Sequence, residues 1–414
     1  MPSLTSALTH LLPSAQDFLC DLIRFPSTPG QEQEALAFIA ERFAAVAPEV
    51  ERVPIPANLP TDPDYSDPIP GLAYDGHFNV RVRVPGSGGK SLLFNTHADV
   101  VPASEGQERP FNPRVEDGVI YGRGACDAKG QIATLWLLLA ALREAGVTPP
   151  GDLIAHLVVE EEVGGNGTLA MIRRGERADG CLVLEPTAGK ILSSVRGAVW
   201  FRVTCHGRAG HSGQAGATVS ALKMAVRVME ILDGYHDQLL AGSRGLRFFD
   251  EFDNPMPLTF GRCRAGDWPA TAPSQAVLEG VLGLLPNKTW RQVAAEMGQA
   301  IADPAILADG DDYLREHFDL YFMYRHDSHV LDPAHPLVTT LQSACAAAGL
   351  ETEVTAMTAS CDSWLYNNQL SIPTAVFGAG TLRYAHSNQE QIALEEIRQG
   401  AEVLGRFVEA WGSR

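Results

Sequence analysis

The chain is predicted to be an α/β protein in which a doubly wound sheet domain is interrupted by a smaller ferredoxin-like α+β domain. Three observations predict this. Over the first 194 residues, short apolar runs bounded by turn residues alternate with stretches of helical spacing. From Val195 the order becomes β, α, β, β, α, β, that of a unit closing on its own sheet. Beyond residue 328 the first pattern returns, so the expected divisions are 1–194 and 329–414 for the outer domain and 195–328 for the insertion. The 414 residues are enough for both.

In chain order, the spacing predicts a helix over Ser14–Arg24, a Pro/Gly turn at Pro26–Gly30 and a helix over Glu32–Val46. The proline-studded stretch Pro54–Pro70 reads as a surface loop. Phe78–Val84 and Ser91–Thr96 are β-rich and are separated by a turn at Pro85–Lys90. A helix over Gly130–Ala145 precedes Leu153–Val159 and Cys181–Leu184, apolar runs of the length of buried parallel strands. The insertion supplies strands at Ala198–Cys205, Leu258–Arg264, Ala276–Leu285 and Phe318–Arg325, and helices at Thr218–Leu240 and Thr289–Ala302. A helix over Leu337–Ala348, a strand at Thr374–Phe377 and a helix over Leu394–Trp411 complete the chain.

Lys and Arg total 32 against 50 Asp and Glu, a formal net charge of −18. Such a surface repels nucleic-acid phosphates and anionic membranes, so neither is an expected partner. The apolar run Ile132–Leu142 is too short to span a bilayer. Seven scattered cysteines without a CxxC pair argue against a disulfide framework or a thiolate zinc knuckle. Met1–Cys20 also lacks the basic start and apolar run of a signal peptide, and a cytoplasmic location is expected. Cys126 and Cys361 each neighbour an acidic residue, which makes them poor nucleophiles.

Five polar clusters stand out: Asn95-Thr96-His97-Ala98-Asp99, Gly122-Arg123-Gly124-Ala125-Cys126-Asp127, Glu160-Glu161-Glu162-Val163-Gly164-Gly165, Leu184-Glu185-Pro186-Thr187 and Tyr384-Ala385-His386-Ser387-Asn388. Open α/β sheets build their sites just past the carboxyl ends of strands, where the first four are expected to fall. Singly, each has an ordinary reading: a hydrogen-bonded histidine at a strand end, Asp127 as a helix cap, a solvated charge run, a turn residue before Pro186. Their coincidence points to a site. Imidazoles and carboxylates without a thiolate pair suit two divalent ions sharing a carboxylate, which acidify a water and polarise a carbonyl. His97-x-Asp99 adds a carboxylate placed to accept the ring N–H that a metal does not use. Spacing alone leaves open which of Glu160, Glu161 and Glu162 is ligand and which is base. His156 reads as a core residue, and His77, His326, His329 and His335 as structural or exposed.

With these clusters in this order, the chain resembles, over nearly its whole length, the acetylornithine deacetylase and succinyl-diaminopimelate desuccinylase family. Its members are dinuclear zinc amidohydrolases, including aminoacylases, dipeptidases and a glutamate-releasing carboxypeptidase. The resemblance implies a zinc-peptidase-like catalytic domain carrying an inserted dimerisation or lid domain. It implies that His97, Asp127 and Glu185 hold one metal and that Asp127, Glu162 and His386 hold the other, with Asp127 bridging, Glu161 as general base and Asp99 orienting His97. Two zinc ions are implied, and cobalt or manganese suits the same ligands. Gly207-Arg208-Ala209-Gly210-His211-Ser212 resembles the family's Gly-x-x-x-His-Ser motif, whose histidine enters the partner subunit's site and stabilises the tetrahedral oxyanion. That role falls to His211, and a homodimer formed through the insertion is implied.

The chain departs from the pattern at Glu160, where the family usually has Asp, and in the insertion. Ala270 and Gly283 stand where the amino-acid deacylases carry an Asn and an Arg that contact substrate. This variation is similar to that of a branch in which N-formyl-aminopyrimidine deformylation also occurs. Arg383, three residues before His386, is a candidate replacement for the missing guanidinium, against the alternative of a surface arginine. The expected activity is hydrolysis of an amide bond in a small N-acylated amino acid or related amine. Alternatives are a dipeptidase or carboxypeptidase on the same centre, an N-formyl-aminopyrimidine deformylase, and a catalytically dead binding homologue. The last would be expected to lose a ligand or the base, and the chain has all six.

Overall fold

The computed structural model describes residues 3–303 and 312–414. Among these, nine strands form one mixed sheet in the order Glu49–Pro54, Phe78–Val84, Gly151–Val158, Gly89–His97, Cys181–Val183, Thr374–Val376, Ile191–Val195, His329–Val330, with Val354–Met357 also paired to Ile191–Val195. Its centre is parallel: Gly151–Val158, Gly89–His97, Cys181–Val183 and Thr374–Val376 run the same way. Phe78–Val84 on one side and Ile191–Val195 on the other run antiparallel to them, and the edge strands Glu49–Pro54 and His329–Val330 reverse direction once more. Helices Leu4–Ile23, Lys129–Ala145 and Leu394–Gly412 pack on one another, the latter two also against Gly89–His97. Lys129–Ala145 is buried all round, as its unbroken apolar run requires, and no helix among the described residues is long and apolar enough to cross a membrane.

The inserted unit has its own sheet and its own core. Strands Leu258–Ala265, Gln275–Leu284, Gly197–His206 and Phe318–His326 lie side by side in that order, all antiparallel, with helices Ala221–Gly242 and Trp290–Ala302 packed on them. This is the ferredoxin-like order, closed around Phe201, Val203, Val228, Leu278, Val293 and Met297. Trp290–Ala302 begins with a capping box, in which Thr289 and Gln292 satisfy each other's backbone N–H groups.

Two expectations need correction. The first helix starts at Leu4, ten residues before Ser14, with Ser3 accepting from the Ser6 N–H at 3.2 Å and Pro13 inside the helix. Pro13 removes one ladder hydrogen bond, but full burial of Ala7, Leu8 and Phe18 outweighs that loss. The segment 54–70 is also more than a surface loop. Tyr65 and Ser66 are buried, and Asn166 bonds both backbone groups of Ser66. Arg325 of the insertion donates to the Tyr65 carbonyl at 2.7 Å, so the segment straps the two units together.

Candidate metal centre

The parallel strands deliver the site. His97 is the last residue of its strand, Glu160–Glu162 follow Gly151–Val158, and Glu185 lies just past Cys181–Val183, so all open onto one edge of the sheet. Asp127 comes from the turn before helix Lys129–Ala145. Ala128 is that helix's N-cap and no side chain caps it, so the capping reading of Asp127 fails. His386 sits at φ 58°, a left-handed conformation that histidine tolerates better than most residues.

Six side chains converge. One Asp127 oxygen is 3.2 Å from His97 Nε2 and the other is 3.3 Å from His386 Nε2. Glu162 lies 2.9 Å from His386 Nε2, while Glu185 and Glu161 lie 3.9 and 4.0 Å from His97 Nε2. Potential ligand atoms of His97, Glu161 and Glu185 fall within 4.8 Å of one another, as do those of His97, Asp127 and Glu162. His97 Nδ1 is 3.0 Å from the Asp99 carbonyl and 3.3 Å from its carboxylate, which leaves Nε2 free to face the cluster. The Asp99 carboxylate also accepts from the backbone N–H groups of Glu161 and Glu162, so one side chain aligns the two strand ends.

Charge in this pocket is unbalanced. Asp127, Glu161, Glu162 and Glu185 are clustered at the sheet edge, and the ion pairs they make are with histidines. Burial drives the carboxyl pKa values of Glu161 and Glu185 well up, and that of Glu162 to about 7. Hydrogen bonds to Asp127 and Glu162 raise His386 to about 10. Glu185 Oε1 is buried with no hydrogen-bond partner. The nearby buried cations are engaged elsewhere: Lys129 Nζ donates to the Phe25 carbonyl and Arg123 pairs with Glu390. Carboxylates held together without cationic side chains are costly unless metal ions neutralise them, and this donor set fits that use.

Several residues that support the site were not visible as such in the sequence. Glu390 accepts from the Asp127 N–H at 3.2 Å and from Arg123, which also donates to Ser104 Oγ at 2.6 Å. Ser104 in turn donates to the His386 carbonyl at 2.9 Å, so one hydrogen-bond network spans the Asp127 and His386 loops. Asp362, fully buried, accepts from Thr168 at 2.6 Å and lies within electrostatic reach of Glu161 and Glu185. Gly165 beside it has φ 70°, and a Cβ there would lie 2.2 Å from Asp362 Oδ1. Glu160 is held away from the cluster by Tyr74 and Asn166, at 2.9 and 2.8 Å.

The remaining candidates lie outside this cluster. His211 is exposed on a short ribbon paired with Thr271–Ala272, and its Nδ1 accepts from the Gly213 N–H at 3.0 Å. Arg383 is exposed, its guanidinium 5.9 Å from the Tyr384 ring centroid. His156 is a buried core residue bonded to Tyr366 at 2.9 Å. Burial holds His326 and His329 near pKa 4, in keeping with structural roles.

The model of Peptidase family M20/M25/M40 matches residues 93–410. The N-formyl-4-amino-5-aminomethyl-2-methylpyrimidine deformylase of Bacillus subtilis (strain 168) is 28% identical over 372 residues, which cover 82% of this chain and 84% of that protein. The succinyl-diaminopimelate desuccinylase of Methylorubrum populi is 28% identical over 412 residues, covering 95% and 97%. Among solved structures, the dipeptidase Dug1p from Saccharomyces cerevisiae shares the fold with a TM-score of 0.80, at 16% identity, over 100% of this chain and 98% of that one.

Proposed function

The chain belongs to peptidase family M20/M25/M40, hydrolases of amide bonds, and from that premise we propose that it removes an acyl group from the nitrogen of a small amino acid or related amine at a two-metal centre. The observation that carries this reading is Asp127, whose two oxygens face His97 and His386 at 3.2 and 3.3 Å. That geometry supports a bridging carboxylate, with His97 and Glu185 completing one ion's ligands and Glu162 and His386 the other's. Two divalent ions held there, zinc before cobalt or manganese, would supply an acidified water and a polarised substrate carbonyl.

The protein's own groups do the rest. Glu161, at the rim of the His97 side, takes the water proton as the carbonyl is attacked and gives it to the leaving amine. A carboxyl whose pKa burial raises is suited to hold that proton between the two steps. Asp99 keeps the His97 tautomer fixed and holds the Glu161 and Glu162 backbone in register. The anchoring of Glu160 by Tyr74 and Asn166 supports the assignment of base and ligand to the two residues that follow it.

On this reading residues 195–328 form a dimerisation and lid domain, and the partner subunit's His211 supplies the donor to the tetrahedral oxyanion. The exposed edge strand Leu258–Ala265, and Leu222 and Val226 at 45% and 47% exposure on helix Ala221–Gly242, support self-association. A cytoplasmic site of action is part of the same proposal. The test is a panel of N-acetyl, N-formyl and N-succinyl amino acids, an N-formyl-aminopyrimidine and dipeptides, compared by kcat/KM, with light scattering for the oligomer. Turnover of the N-acyl amino acids at least tenfold above the rest is expected. A preference for dipeptides or the formyl-pyrimidine would overturn the substrate assignment.

A further inference from the structure

The last strand of the insertion, Phe318–His326, is irregular between Phe322 and Tyr324. Phe322 pairs with Phe201 and Tyr324 with Trp200, so Met323 is an extra residue, a bulge. An extra residue turns the side chains that follow it to the opposite face of the sheet. Phe322 accordingly joins Phe201 in the core of the insertion, while Tyr324 stacks on Trp200, ring centroids 5.1 Å apart, on the other face. His326 follows on that face, its ring centroid 4.3 Å from that of Tyr324. The carbonyl of Met323 itself accepts from the Asp67 N–H at 2.8 Å, which holds the bulge against the strap.

The face that Tyr324 reaches meets the turn carrying the proposed base. The Gly164 N–H donates to the Glu161 carbonyl at 3.1 Å and the Gly165 N–H to the Glu160 carbonyl at 2.7 Å, so the two glycines close that turn. A Cβ on Gly164 would lie 3.3 Å from Tyr324 Cδ2, and one on Gly165 would lie 3.1 Å from His326 Nε2. Bare backbone at both positions thus lets the insertion's strand rest on the turn. Tyr324 is buried, and its hydroxyl is tied on two sides, 2.8 Å from His326 Nδ1 and 2.8 Å from Ser360 Oγ of the outer domain. It lies within electrostatic reach of Glu161.

We propose that Tyr324 is a positioning residue that, with His326 and Ser360, clamps the Gly164–Gly165 turn and so aims Glu161. The insertion thereby serves the reaction within its own chain, through the backbone of the turn and without touching substrate. The proposal rests on the reading of Glu161 as the base of an amide hydrolase and adds how that carboxylate is held. A general base must sit within hydrogen-bond reach of the proton it takes, and a misplacement of about 1 Å costs on the order of 10²-fold.

The test uses the full-length, zinc-loaded protein and the variants Y324F, which removes the hydroxyl, and Y324L, which removes the ring. Y321F is the control, since Tyr321 lies on the same strand and its hydroxyl bonds Asp67 instead. Steady-state kinetics on the best substrate of the panel is measured beside zinc content and hydrogen exchange of the peptide 159–166. Y324F should lower kcat by about 10–100-fold with KM and zinc content close to wild type, and exchange at Gly164 and Gly165 should quicken about tenfold or more. Y324L should lose more, and Y324F alone decides where Y324L does not fold. Y321F should match wild type in every readout. Wild-type kcat or wild-type exchange in Y324F overturns the proposal, as does a loss confined to KM or an equal loss in Y321F. A lower melting temperature with kcat per folded chain unchanged marks Tyr324 as structural and also overturns it. Exchange is read without substrate, so a wild type inactive on the whole panel, with exchange quickened in Y324F but not in Y321F, rejects the hydrolase reading and not the clamp.

Discussion

Replacing Glu390 by Gln keeps the side-chain shape and removes its charge. Arg123, 1% exposed, then loses its counter-charge, and the single amide oxygen can accept from Arg123 or from the Asp127 N–H but not from both. Breaking one side of such a pair costs about 3–5 kcal/mol, because the surviving charge stays desolvated. The same carboxylate accepts from the Asp127 N–H, and Arg123 reaches His386 through Ser104, so both loops that carry facing ligands slacken together. Loss of such an outer partner lowers metal affinity by roughly 10–100-fold. The assay is urea unfolding by linear extrapolation beside zinc titration against a chelating indicator. Saturating zinc should restore turnover to within a few-fold of wild type, since Glu390 touches no reacting atom. The double variant R123M/E390M should regain most of the stability, because apolar groups of similar volume replace buried ion pairs at little cost. E390Q with wild-type midpoint and wild-type zinc affinity would refute the reasoning.

Four further outcomes are expected. Asp99→Ala should reduce zinc affinity by about 10–100-fold in the same titration, because it removes the carboxylate 3.3 Å from His97 Nδ1, leaving only the backbone carbonyl there, and takes the acceptor from two backbone N–H groups. Gly165→Ala should lower the unfolding midpoint by about 1–3 kcal/mol of stability or more, from its left-handed backbone and the approach of Asp362. Chelation should lower the melting temperature, and free zinc at 100 times its Kd should restore about 2.7 kcal/mol. His329, bonded to Ser363 at 3.0 Å and to the Thr374 carbonyl at 3.2 Å, has a pKa near 4 when folded against an ordinary 6.5. Between those values the unfolded chain binds more protons, so stability is intact above pH 6.5 and falls as pH drops towards 4, by about 3 kcal/mol. In His329→Gln that component of the pH dependence should be absent.

The parallel strands and the polar residues at their ends were legible because both signals are local: an apolar run, then a change to His, Asp or Glu. The register within Glu160–Glu162 was not local. It depends on Tyr74 and Asn166, which come from elsewhere in the chain to hold Glu160. Strand Glu49–Pro54 escaped notice because it is a charged edge strand with little burial, and Ile191–Val195 because two serines break its apolar run. The support network was invisible for a similar reason. Arg123 and Glu390 are 267 residues apart, and each alone reads as an ordinary surface charge. Pro13 misled by its type, since helix propensity yields where neighbouring side chains are fully buried.

The most direct test of the account is metal content measured together with turnover in wild type and Glu161→Gln. Wild type should carry two zinc ions per chain. Glu161→Gln should keep both and lose about 10²–10⁴-fold in kcat on the best substrate of the panel. A single ion per wild-type chain would contradict the two-metal centre. Loss of one ion in the variant would make Glu161 a ligand, as its position near His97 and Glu185 also permits. Two ions with full activity in the variant would remove Glu161 as the base.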